Sequence, residues 1–461
     1  MSDYITTYTK VHFNPLSPNM EDIHIEDIAH ALSLMTRANG HFPEFYSVAQ
    51  HCIHCAKEAM ARGGSPREIM LCLLHDAAEA YMADVTRPVK DMVKGYREAE
   101  HRLLNMICEK YMRIAPDERE KAYARKIDDT LLYHEFYHYM GEKITDKVPK
   151  IYSSPEFVTV PFKEAEKEYL DIFYECRNKL EKMRKIRMIG VDLDGTLLND
   201  KKQISERTMA ALKKAEQRGI EIVPSTGRSF PLIPQFIKEL PGAHYFITTN
   251  GAAVYSSDGE SIVKNEMSGS DAADIISMLV DELGAFACVF SGGKYIAQPK
   301  HGIKLGSVPI ESMIPPYASN YFNSGNLNMV ESVADTVRDS EAEIVTVDLH
   351  ELSEDKRKYI MEKLNDFPGL ICVYGSPFNM DITRKDATKG NGLLKLGEIL
   401  GIGRDEILAC GDSGNDADMI RLAGFGAAMA NADEFAKGAA DFVTLSNEED
   451  GVAEIIEKYI L

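Results

Sequence analysis

The sequence predicts an all-α part followed by a doubly wound α/β part that carries an inserted α/β domain, and three observations predict it. At 461 residues the chain exceeds what one hydrophobic core organises, so at least two domains are expected. From about residue 20 to 183 the pattern is helical, with few β-branched runs and with Gly and Pro as punctuation. From Ile186 onward short apolar runs alternate with helical stretches, the signature of a parallel sheet with crossover helices. That order lapses between about 266 and 382 and returns at EILACGDSGNDADMI, which marks an insertion. The expected domains are therefore 1–184, then 185–265 with 383–461, and the inserted 266–382.

In the first part, Ser47 with Gln50 forms a capping-box signature before a helix that runs to Gly63 and Gly64. Ser65, Pro66 and Glu68 open the next helix in the same way. A Pro-bearing segment from about 145 to 162 reads as a loop. The stretch from Phe162 to Arg184 reads as a charged amphipathic helix that hands over almost directly to a strand. In the second part the strands are expected in IRMIGVDLDG, IEIVPSTGR and YFITTNGA, with ISERTMAALKKAEQRG as a crossover helix. Hydrophobic residues at 44% and charged residues at 27% exclude a disordered chain.

Lys plus Arg minus Asp plus Glu is 52 minus 72, a net charge of -20, which repels nucleic-acid backbones and anionic lipid. Nucleic acid and membranes are thus not expected partners. Small phosphorylated metabolites are, because a local cluster of cations can reverse the sign inside a pocket. The start of the chain lacks the basic flank and apolar core of a signal peptide, and no stretch of 18 apolar residues occurs, so a cytoplasmic protein is expected. Homo-oligomerisation is left open. The eight cysteines, the CxxC pair Cys52 and Cys55 included, read as reduced thiols packed in the core.

The apolar run Met188 to Val191 ends in Asp192, Leu193, Asp194, Gly195, Thr196. Catalytic groups of open α/β sheets gather at the carboxyl ends of strands, and here two carboxylates arrive two residues apart. One can attack while the other handles a proton. This segment resembles the first motif of the haloacid dehalogenase-like phosphatases, and the later motifs follow in order: Ser225-Thr226-Gly227-Arg228, then Lys389 in DATKGNG, then Gly411 to Asp416 in GDSGND. An insertion between the second and third motifs is similar to the Cof-like subfamily with its large α/β cap. The resemblance implies a Rossmann-like core and a set of roles. Asp192 is the nucleophile that becomes an aspartyl-phosphate, and Asp194 the acid for the leaving oxygen and later the base for water. Mg²⁺ is held by Asp192, the backbone carbonyl of Asp194, Asp412 and Asp416. Thr226 and Gly227 bind phosphate, Lys389 neutralises charge, and Asn415 hydrogen-bonds the site. Arg228 is either a site residue or a helix-start cation.

In IMLCLLHDAAEAYMADVTRPVK the pair His75 and Asp76 interrupts an otherwise apolar helix. A buried charge there needs compensation, and a metal ion supplies it. His51 on the preceding helix and Asp128 on a later one add two ligand types suited to first-row divalent metals. This order resembles the HD-domain phosphohydrolases, in particular the branch of the 5′-deoxynucleotidases, across about 20 to 183. The resemblance implies an all-α HD domain, a transition metal such as Mn²⁺, Co²⁺ or Fe²⁺ on His51, His75, Asp76 and Asp128, a role for Glu79 in activating water, and Arg37 and Asp84 in the substrate pocket. Two features depart from it: the chain has no Trp beside Arg37 or anywhere else, and Asp128 is followed by a second acid, Asp129.

Together the resemblances imply a bifunctional phosphohydrolase, whose first half cleaves a nucleotide phosphoester, in the version preferred a deoxynucleoside 5′-monophosphate, and whose second half dephosphorylates a small sugar or nucleotide phosphate. The alternatives are a first half acting on a nucleotide diphosphate or alarmone, or one that binds a ligand to regulate the second.

Overall fold

A computed structural model describes residues 3–90, 92–299, 303–314, 325, 327–350, 352–376 and 379–461. The chain divides into two compact units, Met1–Arg184 and Lys185–Leu461.

The first unit is helical: α1 (Ile25–Leu34), α2 (Val48–Ala61), α3 (Pro66–Leu74), α4 (Tyr96–Met112), α5 (Glu118–Met140) and α6 (Phe162–Met183) are its long elements. Both capping boxes are present, Ser47 with Gln50 and Ser65 with Glu68, and each satisfies amide groups that the first turn leaves without partners. The buried faces of α2, α3 and α6 pack on one another, with α1 against α6 and α5 against α2 and α3. Fully buried Arg67 ties three of them together: its guanidinium donates to Glu120 on α5, to the carbonyl of Met112 at the end of α4 and to that of Ile114 just beyond it. Among the described residues no helix is long and apolar enough to cross a membrane.

One expectation changes here. The apolar helix does not run on through His75 and Asp76: α3 stops at Leu74 and residues 75–78 form a turn before the one-turn helix Glu79–Met82. Tight bonds from the amides of Ala77 and Glu79 to the carbonyls of Leu74 and Asp76 replace the α-helical pattern. Asp76 and Glu79 are therefore related by this turn rather than by one continuous helix face.

Among the described residues the second unit has two large sheets and a two-stranded one, in which Met267–Ser268 pairs antiparallel with Glu341–Ala342. Its core sheet is built from β1 (Met188–Asp192), β2 (Glu221–Ser225), β3 (Tyr245–Thr248), β4 (Ala253–Ser256) and β5 (Ser261–Lys264). After the insertion the chain adds strands of its own to the same sheet. The insertion holds β6 (Ala287–Ser291), β7 (Lys294–Ala297), β8 (Leu327–Met329), β9 (Ile344–Asp348), β10 (Leu370–Ser376) and β11 (Asn379–Arg384). The returning strands are β12 (Ile407–Gly411), β13 (Phe425–Ala428) and β14 (Phe442–Val443). The core order is β14-β13-β12-β1-β2-β3-β4-β5, parallel from β14 to β3 and closed by an antiparallel pair, so β1 lies in the middle.

Helix α7 (Lys389–Leu400) opens immediately after the insertion and lies directly on β1, because Gly190 offers no Cβ where the Leu393 side chain comes within 2.6 Å. Gly251, at φ +102°, gives way in the same manner to the backbone of Thr388. These two glycines bring the start of α7 down onto the carboxyl end of β1.

The inserted cap is a six-stranded sheet in the order β8-β7-β6-β9-β11-β10, with one parallel pair, β7 and β8. Its last strand runs to Arg384, two residues beyond the boundary expected from the sequence. Alternation along the strands separates its faces. Val289, Ile296, Val345, Val347, Met380 and Ile382 turn one way and pack under the cap helices. Cys288, Phe290, Tyr295, Ala297 and Ile344 turn the other way and pack with Leu232 of the core.

Candidate active site and candidate metal centre

Asp192 closes the central strand, and the loop after it turns at Gly195, whose φ of +89° and lack of Cβ admit the carboxylate of Asp412. Lys389, the first residue of α7 and only 1% exposed, donates to Asp192 Oδ1 and to Asp416 Oδ1, both at 2.6 Å. The other oxygen of Asp416 accepts from the amides of Asp412 and Ser413, each at 3.1 Å, which fixes the GDSGND loop. Thr196 Oγ1 donates to Asp412 Oδ1 at 3.0 Å. Carboxylate oxygens of Asp192, Asp412 and Asp416 lie within 4.8 Å of one another.

Burial and the charge of Asp416 push the Asp192 carboxyl up to about 8 even though Lys389 opposes them, and burial with Asp416 pushes Asp412 up to about 6. One lysine thus does not neutralise three clustered carboxylates. A hard divalent cation suits such an all-oxygen set and would restore Asp192 to the carboxylate form, so the residues fit Mg²⁺. The side chain of Asp194 stands apart from this group. It takes Arg228 Nη2 at 2.7 Å and Lys202 Nζ at 2.8 Å, and although burial works against it, those cations hold its carboxyl below the usual range. Arg228 therefore stands at the site rather than serving as a distant helix-start cation.

Thr226 is set by its own amide, which donates to the carbonyl of Ile247, and its hydroxyl accepts from the Arg228 amide. Gly227 passes close to Asn250: a Cβ there would lie 3.1 Å from Oδ1 of that residue. Asn250 in turn accepts from Asn415 at 3.3 Å. These residues, with Asp192, Asp194 and Lys389, form the floor of a cavity of about 330 Å³ whose opposite wall is Tyr295, Ile344, Thr346 and Asp381 of the cap. Thr196, Lys202, Asn250 and the four cap residues were not among the sequence candidates. Thr196 closes the Asp192–Thr196 motif and Asn250 lies in YFITTNGA, so both could have been found there, whereas nothing local distinguishes the cap residues.

In the first unit the four metal candidates converge. His51 Nε2 is 3.2 Å from His75 Nε2 and 3.1 Å from Asp128 Oδ1, and His75 Nε2 is 3.3 Å from Asp76 Oδ2. Ligands bound at ~2.1 Å to one ion stand roughly 3.0–3.4 Å apart, which matches. The Nδ1 of His51 meets Glu135 Oε1 at 2.5 Å and that of His75 the Cys72 carbonyl at 2.8 Å, so acceptors hold both outer nitrogens and both Nε2 atoms face the carboxylates. Burial opposes charge on His75, yet Asp76 raises it well above the usual imidazole range. The cluster demands positive charge, and its nitrogen and oxygen donors fit a divalent transition metal.

Arg37 also reaches in, with Nη2 3.0 Å from His51 Nε2 and Nη1 3.2 Å from Asp76 Oδ2. Glu79 is buried, bonded by Lys90 Nζ at 3.0 Å through one oxygen while its other oxygen has no partner among the described residues, and burial with the charges of Asp76 and Asp84 lifts it to about 9. Asp84 follows in the next loop, its carboxyl raised by burial with Arg37 pulling the other way. Asp129 is exposed on α5, and Asp128 is the one that meets His51. Glu135 was overlooked as a participant. It lies seven residues after Asp128, two helical turns on the same face, and that spacing was the signal. All eight cysteines are free thiols, seven of them buried, and Cys55 Sγ lies 3.5 Å from His51 Nε2.

Residues 189–456 match the haloacid dehalogenase-like hydrolase family. Over 284 residues the chain is 30% identical to phosphatase YwpJ of Bacillus subtilis, an alignment covering 59% of this chain and 99% of that protein. It is 29% identical over 278 residues to 5-amino-6-(5-phospho-D-ribitylamino)uracil phosphatase YcsE of the same organism, covering 60% and 96%. A haloacid dehalogenase-like hydrolase structure from Bacteroides thetaiotaomicron is similar at 26% identity and a TM-score of 0.49, over 59% of this chain and 98% of that one. The family match begins at residue 189, so the HD resemblance of the first unit rests on its own residues.

Proposed function

Since this chain belongs to the haloacid dehalogenase-like hydrolase family and is a phosphoric monoester hydrolase, we propose that its second unit dephosphorylates a small sugar or nucleotide phosphate through an aspartyl-phosphate on Asp192. The observation that supports this best is the buried Lys389 bridging Asp192 and Asp416 at the floor of the capped cavity. An Asp192 oxygen attacks phosphorus as the ester bond breaks, and the leaving oxygen takes a proton from Asp194. Water then attacks the phosphoryl group, gives its proton to Asp194, and frees Asp192 and orthophosphate. Arg228 touches Asp194 from the cavity wall. When Arg228 turns to a phosphate oxygen, Asp194 loses one of the two cations that keep it ionised and its pKa rises toward that of an acid able to protonate the leaving group. Magnesium held by Asp192, Asp412, Asp416 and the Asp194 carbonyl would supply neutralisation of the charge that develops on the phosphoryl oxygens. Thr226 and the backbone at Gly227 orient those oxygens, and Lys389 holds Asp192 in line.

The first unit is proposed as an HD-type hydrolase of a nucleotide phosphoester. The support is the convergence of His51, His75, Asp76 and Asp128, with Glu79 close by at the start of the one-turn helix and one of its oxygens without a partner among the described residues. Glu79 would take the proton of the attacking water, and Arg37 and Asp84 would contact the substrate. Small phosphorylated metabolites as the ligands of both units and a cytoplasmic setting belong to the same proposal.

Phosphate release from a panel of nucleotides and sugar phosphates, with Mg²⁺, Mn²⁺ and Co²⁺ compared on the intact protein, Asp192→Asn and Asp76→Ala, tests both halves. Asp192→Asn should lose sugar-phosphate turnover with the fold retained, and undiminished turnover would reject the nucleophile. Release of pyrophosphate with no orthophosphate from monophosphates would reject the monoesterase version of the first unit. If Asp76→Ala removed bound metal yet left all nucleotide hydrolysis unchanged, the first unit would be a sensor.

A further inference from the structure

The turn that links β3 to β4, residues 249–251, meets three of the four motif segments of the second unit. The amides of Thr249 and Asn250 donate to the carbonyls of Arg228 and Thr226 at 3.0 and 3.1 Å. Asn250 Oδ1 accepts from Asn415 Nδ2 at 3.3 Å. Gly251 lies so close to the backbone of Thr388 and Lys389 that a Cβ there would collide with it. Thr249 and Asn250 line the cavity together with Thr226, Lys389 and Asn415. The turn is costly to hold, because Thr249 and Asn250 stand at φ +46° and +55°, and left-handed backbone is unfavourable for a β-branched residue. Such a conformation persists where its surroundings over-determine it. One of the contacts that do so comes from the cap. Glu343, the residue before β9 and 1% exposed, is fixed in the cap sheet by its own backbone: its amide donates to the carbonyl of Phe290 on β6 at 3.0 Å, and its carbonyl accepts from Thr383 Oγ1 on β11 at 3.4 Å. Its side chain points to the core instead. Oε2 accepts from Thr249 Oγ1 at 2.9 Å and Oε1 from the hydroxyl of Tyr255 on β4.

We propose that Glu343 is a positioning residue for the phosphatase reaction: through the Thr249 hydroxyl it holds the 249–251 turn, and the turn sets Thr226, Asn415 and Lys389 around the phosphoryl group. The cap thereby acts on the phosphoryl end of the cavity as well as forming the wall opposite the floor. The proposal rests on the phosphatase reading of the same cavity and adds a residue to its machinery. A hydrogen bond from a buried carboxylate to the one hydroxyl of a strained turn fixes the turn in a single conformation, and small displacements of groups that bind a reacting phosphoryl group are expensive in rate. Because Glu343 acts on the end of the substrate that all phosphate esters share, its loss lowers turnover by one factor whatever the leaving group. A residue that touches the leaving group would instead change the ratio between substrates.

The test is steady-state kinetics with Mg²⁺ on the full chain, with p-nitrophenyl phosphate and sorbitol 6-phosphate as esters of unlike leaving groups, orthophosphate as inhibitor, and calorimetry to report that each variant is folded. Glu343→Ala and Thr249→Val should each lower kcat/KM by about 10–100-fold, by the same factor for both esters. Each should also raise the inhibition constant of orthophosphate by about 5-fold, since the phosphoryl end itself is loosened. The double variant should lose no more than either single one, because both remove the same bond. Glu343→Gln and Thr249→Ser, which keep an oxygen facing a hydroxyl, should recover most of the loss. Should Glu343→Ala not fold, Thr249→Val set against Thr249→Ser carries the same comparison. A folded Thr249→Val that keeps kcat/KM within about 2-fold, losses that multiply in the double variant, or effects on the two esters that differ by more than about 10-fold overturn the proposal. If the unchanged protein releases phosphate from neither ester, the phosphatase reading of the cavity falls and this inference with it.

Discussion

Replacing Lys389 with methionine keeps the length of the side chain and removes its charge from between two buried carboxylates. Lys389 bonds Asp192 and Asp416 at 2.6 Å each, at 1% exposure, and its pKa is raised because those two carboxylates outweigh the burial that would lower it. Removing one partner of a buried ion pair costs about 3–5 kcal/mol, since the remaining charges keep their desolvation penalty. Asp192, already raised to about 8, would go higher and take up a proton, which relieves part of that cost, so the lower end applies. About 3 kcal/mol in a unit of this size corresponds to roughly 6–12 °C. Calorimetry at neutral pH without added metal should show the transition of the second unit lowered by that much, and lowered less when Mg²⁺ is added. Phosphate release on the same samples should fall at least about 10²-fold. A shift under about 2 °C with turnover retained would refute the view that Lys389 is the charge on which the carboxylate cluster depends.

Other consequences follow from single contacts. Glu343 at the head of β9 accepts from Thr249 Oγ1 at 2.9 Å and from the Tyr255 hydroxyl, and burial, against those bonds, pushes it up to about 7. Its folded value lies above the unfolded one of about 4.3, so its stabilisation is full below that pH and is lost as pH rises through 7. Glu343→Gln should flatten this fall, and thermal denaturation curves of variant and unchanged protein that run parallel from pH 5 to about 8 would contradict it. Thr196→Val removes the bond that orients Asp412 and should raise the Mg²⁺ concentration for half-maximal phosphate release by about 10–100-fold, measured by titration; an unchanged midpoint would show that Thr196 does not set the ligand. Ser47→Ala removes the hydroxyl that caps α2 and should lower the stability of the first unit by about 1 kcal/mol in urea denaturation, with no change in the second.

The parts of this protein that were legible in the sequence are those set by short-range rules. Capping residues fixed where α2 and α3 begin, because the hydroxyl and the amides it satisfies are three residues apart. Strand and helix periods separated the helical unit from the α/β unit, and the two-residue spacing of Asp192 and Asp194 put both carboxylates at the end of one strand. The break at His75 was misjudged for the same reason: an apolar run looks helical throughout, and only the packing of its neighbours and the turn bonds around Ala77 stop it at Leu74.

What tertiary structure alone decided is which charges meet. Lys389 reads as a surface lysine in its own neighbourhood and becomes the bridge to a carboxylate 197 residues away, because Gly190 and Gly251 let α7 descend onto β1. Asp381 and Thr346 carry no local mark and acquire their place over the cavity from strand register. Hydrogen-bond and charge energies depend on distances of a few ångström, and those distances between residues far apart in the chain exist only after the sheets and helices have packed.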